Sequence, residues 1–157
     1  MPEIAAKPDL DVEELLGFDL LSAPGHLLRR NHQRSYELFT ARVGDVLTRQ
    51  QFALLVTLTQ RPGSSQNELV AATGMDKSTL REMLGRMVAR GWVERERDPT
   101  DSRAWTMRAT PAGRALVEAL APKVQAAQRD ILEPLPVEDR AFFMKCLRVL
   151  IGLEPAG

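Results

Sequence analysis

The sequence predicts a mostly α-helical fold: a winged helix-turn-helix with a small β-hairpin wing, set between N- and C-terminal helices. Three observations carry this. Residues 65–90 read as helix, glycine-bearing turn, helix, the layout of a helix-turn-helix. Two short stretches of period two follow directly, at 92–97 and 104–109, and flank the turn "DPTDSR". Long helical seams stand on either side of this unit, at 22–43 and 111–131.

The 157 residues suit one domain, 1–157, and a helical chain of this size often completes its core by pairing with a second copy. Hydrophobic residues make up 44% and charged residues 27%, an ordinary globular mix. A net charge of zero excludes a general polycation but leaves local patches open. One cysteine, Cys146, excludes an internal disulfide framework. There is no apolar run of about 18 residues, and the start "MPEIAAKPDLDVEELLG" is acidic with no basic leader, so a cytoplasmic protein without a membrane partner is expected. The chain has no glycine-rich phosphate loop and no metal-ligand spacing. Its two histidines share one helix, which leaves no nucleophile–base set; neither an enzyme nor a cofactor is expected.

Taken in order, "DLDVEELLGFDLL" at 9–21 predicts a short amphipathic helix through Leu10, Leu15, Leu16 and Leu20. A long helix follows, with Ser22 as N-cap, Pro24 in the first turn, and a seam of Leu28, Asn31, Ser35, Leu38 and Arg42. Thr48 to Gln51 has the capping-box pattern and opens a helix through Phe52, Leu55 and Val56 that "RPGS" ends. Ser65 to Glu68 is a second capping box. Gly74 makes the turn, Asp76 caps the next helix with Leu80, Leu84, Met87 and Val88, and Gly91 closes it. In the second strand Trp105, Met107 and Ala109 share one face, and Trp105 is expected to pack the wing against the lobe. Thr110 caps, and Pro111 begins, a helix with Val117, Leu120, Val124, Ala127 and Ile131 in a narrow seam, kinked at Pro122. "EPLP" breaks the chain before a last helix at about 137–152 that carries Phe142, Phe143, Cys146, Leu147, Leu150 and Ile151.

A helix-turn-helix brings the start of its second helix to the major groove. Here that start offers Lys77, Ser78, Thr79 and Arg81, with Arg86 further along. Ser78 and Thr79 are short donors for phosphates or bases, and Arg81 can contact guanine with two hydrogen bonds. Glu82 can accept from cytosine or pair with Arg86 at i+4, and the pair is the favoured reading. Alone, these charges would also fit a solvated helix face. An arginine on a thin hairpin can enter the minor groove, which assigns Arg103 to DNA. Asp101 then orients Arg103, or the neighbouring Arg95 or Arg97, by a charge-assisted hydrogen bond; the bland alternative is a salt bridge that stiffens the turn. From Asp76 to Arg103 there are seven basic and six acidic residues, so attraction to DNA must come from geometry.

The stretch "GMDKSTLREMLGRMVARGWVERERDPTDSRAWTMRATPAGRAL", 74–116, resembles the MarR family of bacterial transcription regulators, most specifically in Asp101-x-Arg103 at a wing tip followed by Thr-Pro-x-Gly. "LTRQQFALLVTL" resembles that family's second helix. The resemblance implies a DNA-binding lobe at 47–110 and dimerisation helices at 20–46 and 111–152 that build a homodimer. It implies repression at a pseudo-palindromic operator in double-stranded DNA, with release by a small effector. Redox-sensing members carry a cysteine near the start of the first long helix; this chain has none there, and Cys146 reads as a small core residue.

Family members often hold small anionic aromatics between the dimerisation helices and the winged lobe, and "GHLLRR" resembles regulators of aromatic and nicotinate-type catabolism. In this chain His26 and Arg30 share one helix face and His32 and Tyr36 another, with Phe52 as an apolar wall for a ring. The same residues would also serve as ordinary surface pairs. The alternatives to an effector-released repressor are a ligand-independent repressor and a winged helix used only for protein contact.

Overall fold

The computed structural model describes residues 19–101 and 103–155. The first ten residues of the helix expected at 9–21 lie outside this range. Its last three are not helical, because Asp19 folds residues 19–22 into a turn. One carboxylate oxygen of Asp19 accepts the Leu21 N–H at 3.1 Å, and the other accepts the Ser22 hydroxyl at 2.9 Å. Ser22 lies in this turn, one residue before the cap position, and does not cap the long helix. Ala23 occupies the cap position without a side-chain bond, and Pro24 opens the helix.

Six helices and three short strands follow: α1 (Pro24–Val43), α2 (Arg49–Gln60), β1 (Ser64–Ser65), α3 (Gln66–Thr73), α4 (Lys77–Ala89), β2 (Val93–Arg97), β3 (Trp105–Ala109), α5 (Pro111–Leu132) and α6 (Val137–Leu150). Both capping boxes form, with the Thr48 and Ser65 side chains each accepting the N–H three residues on and receiving the reciprocal bond from Gln51 and Glu68. Gly74 ends α3 at φ 68°, a left-handed conformation that a side chain would resist, and this sets the turn into α4. At the far end of α4 the Gly91 N–H bonds Val88 O and the Trp92 N–H bonds Met87 O, which closes the helix and sends the chain into the wing.

The sheet order is β1-β3-β2, all antiparallel, with Val93 opposite Ala109 and Arg97 opposite Trp105. β1 pairs Ser64 and Ser65 with Met107 and Thr106, and no period in the sequence announces it. The core gathers Leu54, Leu55 and Leu58 of α2, Leu69 of α3, Leu80 and Met87 of α4, and Val93 and Met107 of the wing, all buried. α1 and α5 pack on one another through Phe39, Val43, Leu120 and Val124, and Arg42 clasps Asp130 across them with bonds of 2.7 and 3.0 Å. α5 runs through Pro122. α6 buries none of its residues within the chain, and Phe142, Leu150 and Ile151 are about two-thirds exposed. No helix among the described residues is long and apolar enough to cross a membrane.

Candidate nucleic-acid interface and adjoining cavity

The start of α4 is built around Asp76. Its carboxylate accepts the Thr79 N–H at 2.9 Å, the Ser78 hydroxyl at 2.6 Å and the Thr79 hydroxyl at 2.5 Å. These bonds favour the ionised form, and they hold the Asp76 carboxyl far below the usual carboxylate range. They also change the chemistry expected of Ser78 and Thr79. With both hydroxyl protons spent on Asp76, their outward lone pairs are acceptors, which suits base amino groups rather than phosphate oxygens. Lys77 and Arg81 are exposed on the same helix. Arg86 pairs with Glu82 at 3.2 Å, as the i, i+4 spacing predicts.

The wing is organised by alternation. "VERER" in β2 puts Arg95 and Arg97 on the face of Trp105, Met107 and Ala109, and turns Glu94 and Glu96 to the other. A segment that is electrically balanced in sequence thus sorts its charge by face. On the acidic face Glu96 pairs with Arg108 at 3.1 Å. On the other face Trp105 departs from expectation. It shares the face of buried Met107 and Ala109, but it sits beyond the edge of the core and is 37% exposed. Its ring carries the guanidinium carbons of Arg97 at 4.0 Å and Arg95 at 4.8 Å.

At the tip, one oxygen of Asp98 accepts the Thr100 N–H, the Thr100 hydroxyl and the Asp101 N–H at 2.8, 2.6 and 3.1 Å, which lowers the Asp98 pKa, the Thr100 hydroxyl contributing most. Asp101 accepts the backbone N–H of Arg103 at 2.9 Å. Two residues away in a tight turn, the Asp101 carboxylate thus meets Arg103 at its backbone. Among the described residues the Arg103 side chain pairs with none, and it is exposed.

A second feature lies behind α4. A cavity of about 310 Å³ opens where α1 meets the lobe. Tyr36, Phe39 and Thr40 of α1 form one wall, residues 44–51 a second, and Met83, Arg86 and Arg90 around α4 a third. Arg49 stands at its rim and ties the walls together. Its guanidinium donates to the Ser35 hydroxyl and, at 3.1 Å, to Nδ1 of His32. Arg90 is fixed by Val46 O at 3.3 Å and by the Trp92 ring at 4.9 Å. Arg49 and Arg90, with Arg86 already paired to Glu82, face one lining acid, Asp45, and with the rings of Tyr36 and Phe39 beside them they suit an aromatic anion.

Of the residues expected to hold an effector, Tyr36 lines this cavity and His32 reaches it through Arg49; the others stand elsewhere. Arg30 lines a separate open depression with Leu27, Arg29 and Arg34, because six residues before Tyr36 is about 120° around the helix. His26, ten residues before Tyr36, is about 15 Å along the helix axis and does not line the cavity. Phe52 stands behind the lining, its ring 6.4 Å from that of Phe39. Arg49 and Arg90 line the cavity as well, neither being expected there from the sequence. The sequence does carry a signal for Arg49, since a cation in the first turn of a helix opposes the helix dipole.

A model described as MarR family matches residues 47–104. The chain is 33% identical to the HTH-type transcriptional repressor NicR of Pseudomonas putida over 138 residues, 87% of each chain. Among solved structures it is similar to Bordetella bronchiseptica BpsR, whose DNA binding is regulated by 6-hydroxynicotinic acid, with a TM-score of 0.83, 31% identity, and coverage of 88% of this chain and 100% of that one. It is also similar to a mutant Escherichia coli MarR complexed with operator DNA, with a TM-score of 0.75, 26% identity, and coverage of 80% and 91%.

Proposed function

Because this chain belongs to the MarR family, we propose that it is a homodimeric repressor that binds a pseudo-palindromic operator in double-stranded DNA and is released by a small aromatic acid. α4 enters the major groove with Lys77, Ser78, Thr79 and Arg81, and the wing carries Arg103 to the minor groove. The apolar residues that α6 leaves exposed, together with Leu27 and Leu28 of α1, are the surface a second copy covers. A dimer sets two recognition helices about 34 Å apart, one helical turn of DNA.

The observation that carries the effector reading is the cavity joining α1 to α4. A carboxylate held by Arg49 and a ring against Tyr36 and Phe39 would touch both the dimerisation arm and, through Met83, Arg86 and Arg90, the recognition helix. A ligand that prefers one setting of these two parts lowers DNA affinity by its differential affinity for that setting. The likeness to BpsR supports an aromatic acid as the class.

The test is a gel shift with a duplex that the wild-type chain selects from a random library, titrated with 6-hydroxynicotinic acid and with substituted benzoates. Release by one of these is expected. Arg49→Ala is expected to raise the concentration needed by about 10- to 100-fold, the worth of one charge-assisted hydrogen-bond pair, with DNA affinity unchanged. Release that Arg49→Ala does not alter would remove the cavity from the mechanism. Binding that none of these acids disturbs would leave a ligand-independent repressor.

A further inference from the structure

We propose that Arg90 and Trp92 carry the occupancy of the cavity to the root of the wing: an anion in the cavity takes the Arg90 guanidinium from the carbonyl of Val46, and the Trp92 ring beneath that guanidinium responds. This rests on the effector reading above and names the residues through which that site acts on the DNA-binding face.

The placement follows from the end of α4. Arg90 is the first residue past the helix, and Gly91, at φ 72°, turns the chain so that Trp92 comes back under it. The guanidinium carbon lies 4.9 Å from the centre of the indole. One of its N–H groups donates to Val46 O, in the loop between α1 and α2, at 3.3 Å. Arg90 thus bridges the loop that borders the cavity and the residue that leads into β2. Trp92 is fixed in turn through its backbone. Its N–H donates to Met87 O at 3.0 Å, and its carbonyl accepts the Thr110 N–H at 3.0 Å. A change at this residue is therefore felt where the recognition helix, the wing and the start of α5 meet.

The surroundings of Arg90 suit a group that can exchange partners. Val46 O is a neutral acceptor, and 3.3 Å is at the long end for an N–H···O bond. A carboxylate would hold the same guanidinium by charge-assisted bonds, which are about twice as strong. The indole engages the flat face of the guanidinium and does not compete for its in-plane donors, so the stack survives the exchange. The other lining residues of α4 offer no such exchange. Met83 is apolar and buried, and Arg86 is held by Glu82 of its own helix at 3.2 Å. Trp92 does not itself line the cavity. Binding and response are thereby separable, since Arg90 serves both and Trp92 serves the response alone.

The test takes two readings, with 6-hydroxynicotinic acid and the substituted benzoates as probes. The chain holds two tryptophans, so Trp105→Phe leaves Trp92 as the sole reporter. Its emission, corrected for absorption by the acid, is expected to change with the midpoint that calorimetry gives for binding. Emission that stays constant while an acid binds overturns the proposal. The second reading compares Trp92→Phe, which keeps an aromatic face, with Trp92→Leu, which keeps apolar bulk without one. Saturating acid is expected to weaken duplex binding by about 5- to 150-fold in the wild-type chain and in Trp92→Phe. Trp92→Leu is expected to bind the acid within about threefold of wild type, yet to lose less than about threefold in DNA affinity when the acid is added. Arg90→Ala is expected to lose both acid affinity and response. A Leu variant that responds like wild type overturns the proposal, and so does one whose acid affinity falls in step with its response, since that describes a ring that only shapes the cavity. If the Leu variant does not fold, the emission reading decides alone. A wild-type chain that none of these acids binds removes the effector reading and this one together; the failure of this one alone is a wild-type chain that an acid releases from DNA, with constant Trp92 emission or a full response in the Leu variant.

Discussion

Gly113→Ala is expected to be among the most damaging single-methyl changes in this fold. A Cβ at that position would stand 2.2 Å from the carbonyl oxygen of Trp92 and 3.2 Å from a methyl of Leu55. The first contact is with backbone, which cannot swing aside as a side chain can. The same carbonyl accepts the Thr110 N–H at 3.0 Å, and the Thr110 hydroxyl donates to Gly91 O at 2.6 Å. To admit the methyl, the start of α5 must lift away from the end of α4 and break this junction. The expected cost is about 3 kcal/mol or more, from overpacking together with lost buried hydrogen bonds. For a chain of this length that lowers Tm by about 6–12 °C. Thermal and urea unfolding check it, with Gly85→Ala as the control. Gly85 lies inside α4 with nothing within 4 Å of an added Cβ, so the same methyl there is expected to stabilise by about 0.5–1 kcal/mol. Equal stability of the Gly113→Ala chain and the wild type would contradict the packing described at this junction.

Arg103→Ala is expected to cost most at the DNA without touching the fold. An arginine contact in a groove is worth about 1–3 kcal/mol. The proposed dimer carries two wings, so the loss is about 2–6 kcal/mol, from roughly 30-fold to about 10⁴-fold in affinity. Tm should stay within about 1 °C of wild type, because the side chain is exposed and pairs with none of the described residues. Arg103→Lys keeps the charge but not the planar fork, and it should restore the salt dependence more fully than the affinity. An Arg103→Ala chain that binds its selected duplex like wild type would take the wing tip out of the interface.

The parts of this fold legible in the sequence are those set by neighbours within four residues. Thr48, Ser65, Asp76 and Thr110 announce their helices because a cap needs only its own first turn. The Glu82–Arg86 pair was legible for the same reason. The expected cap at Ser22 failed because the turn that Asp19 holds runs through residue 22, and the helix starts one residue later than expected, with Ala23 at the cap position. What depends on distant packing was not legible. β1 is two serines that become a strand only because Met107 and Thr106 lie beside them. Gly113 stood out as part of Thr-Pro-x-Gly, but the reason for it is a carbonyl 21 residues earlier. Alternation gave Trp105 its correct face, yet where the core stops along a strand is a property of the assembled lobe. The cavity illustrates both limits. Helical spacing placed His32 and Tyr36 together, but Arg49 joins them from another helix, and Arg86 and Arg90 close the space from a third direction.

The most direct measurement is of the duplex the wild-type chain selects from a random library, read for sequence symmetry and for the number of chains bound. The expected result is an inverted repeat with half-sites about one helical turn apart, bound by two chains, with protection of two successive major grooves and the flanking minor grooves. Selection that yields no sequence preference, or a single chain on an asymmetric site, would contradict the dimeric, groove-reading regulator described here.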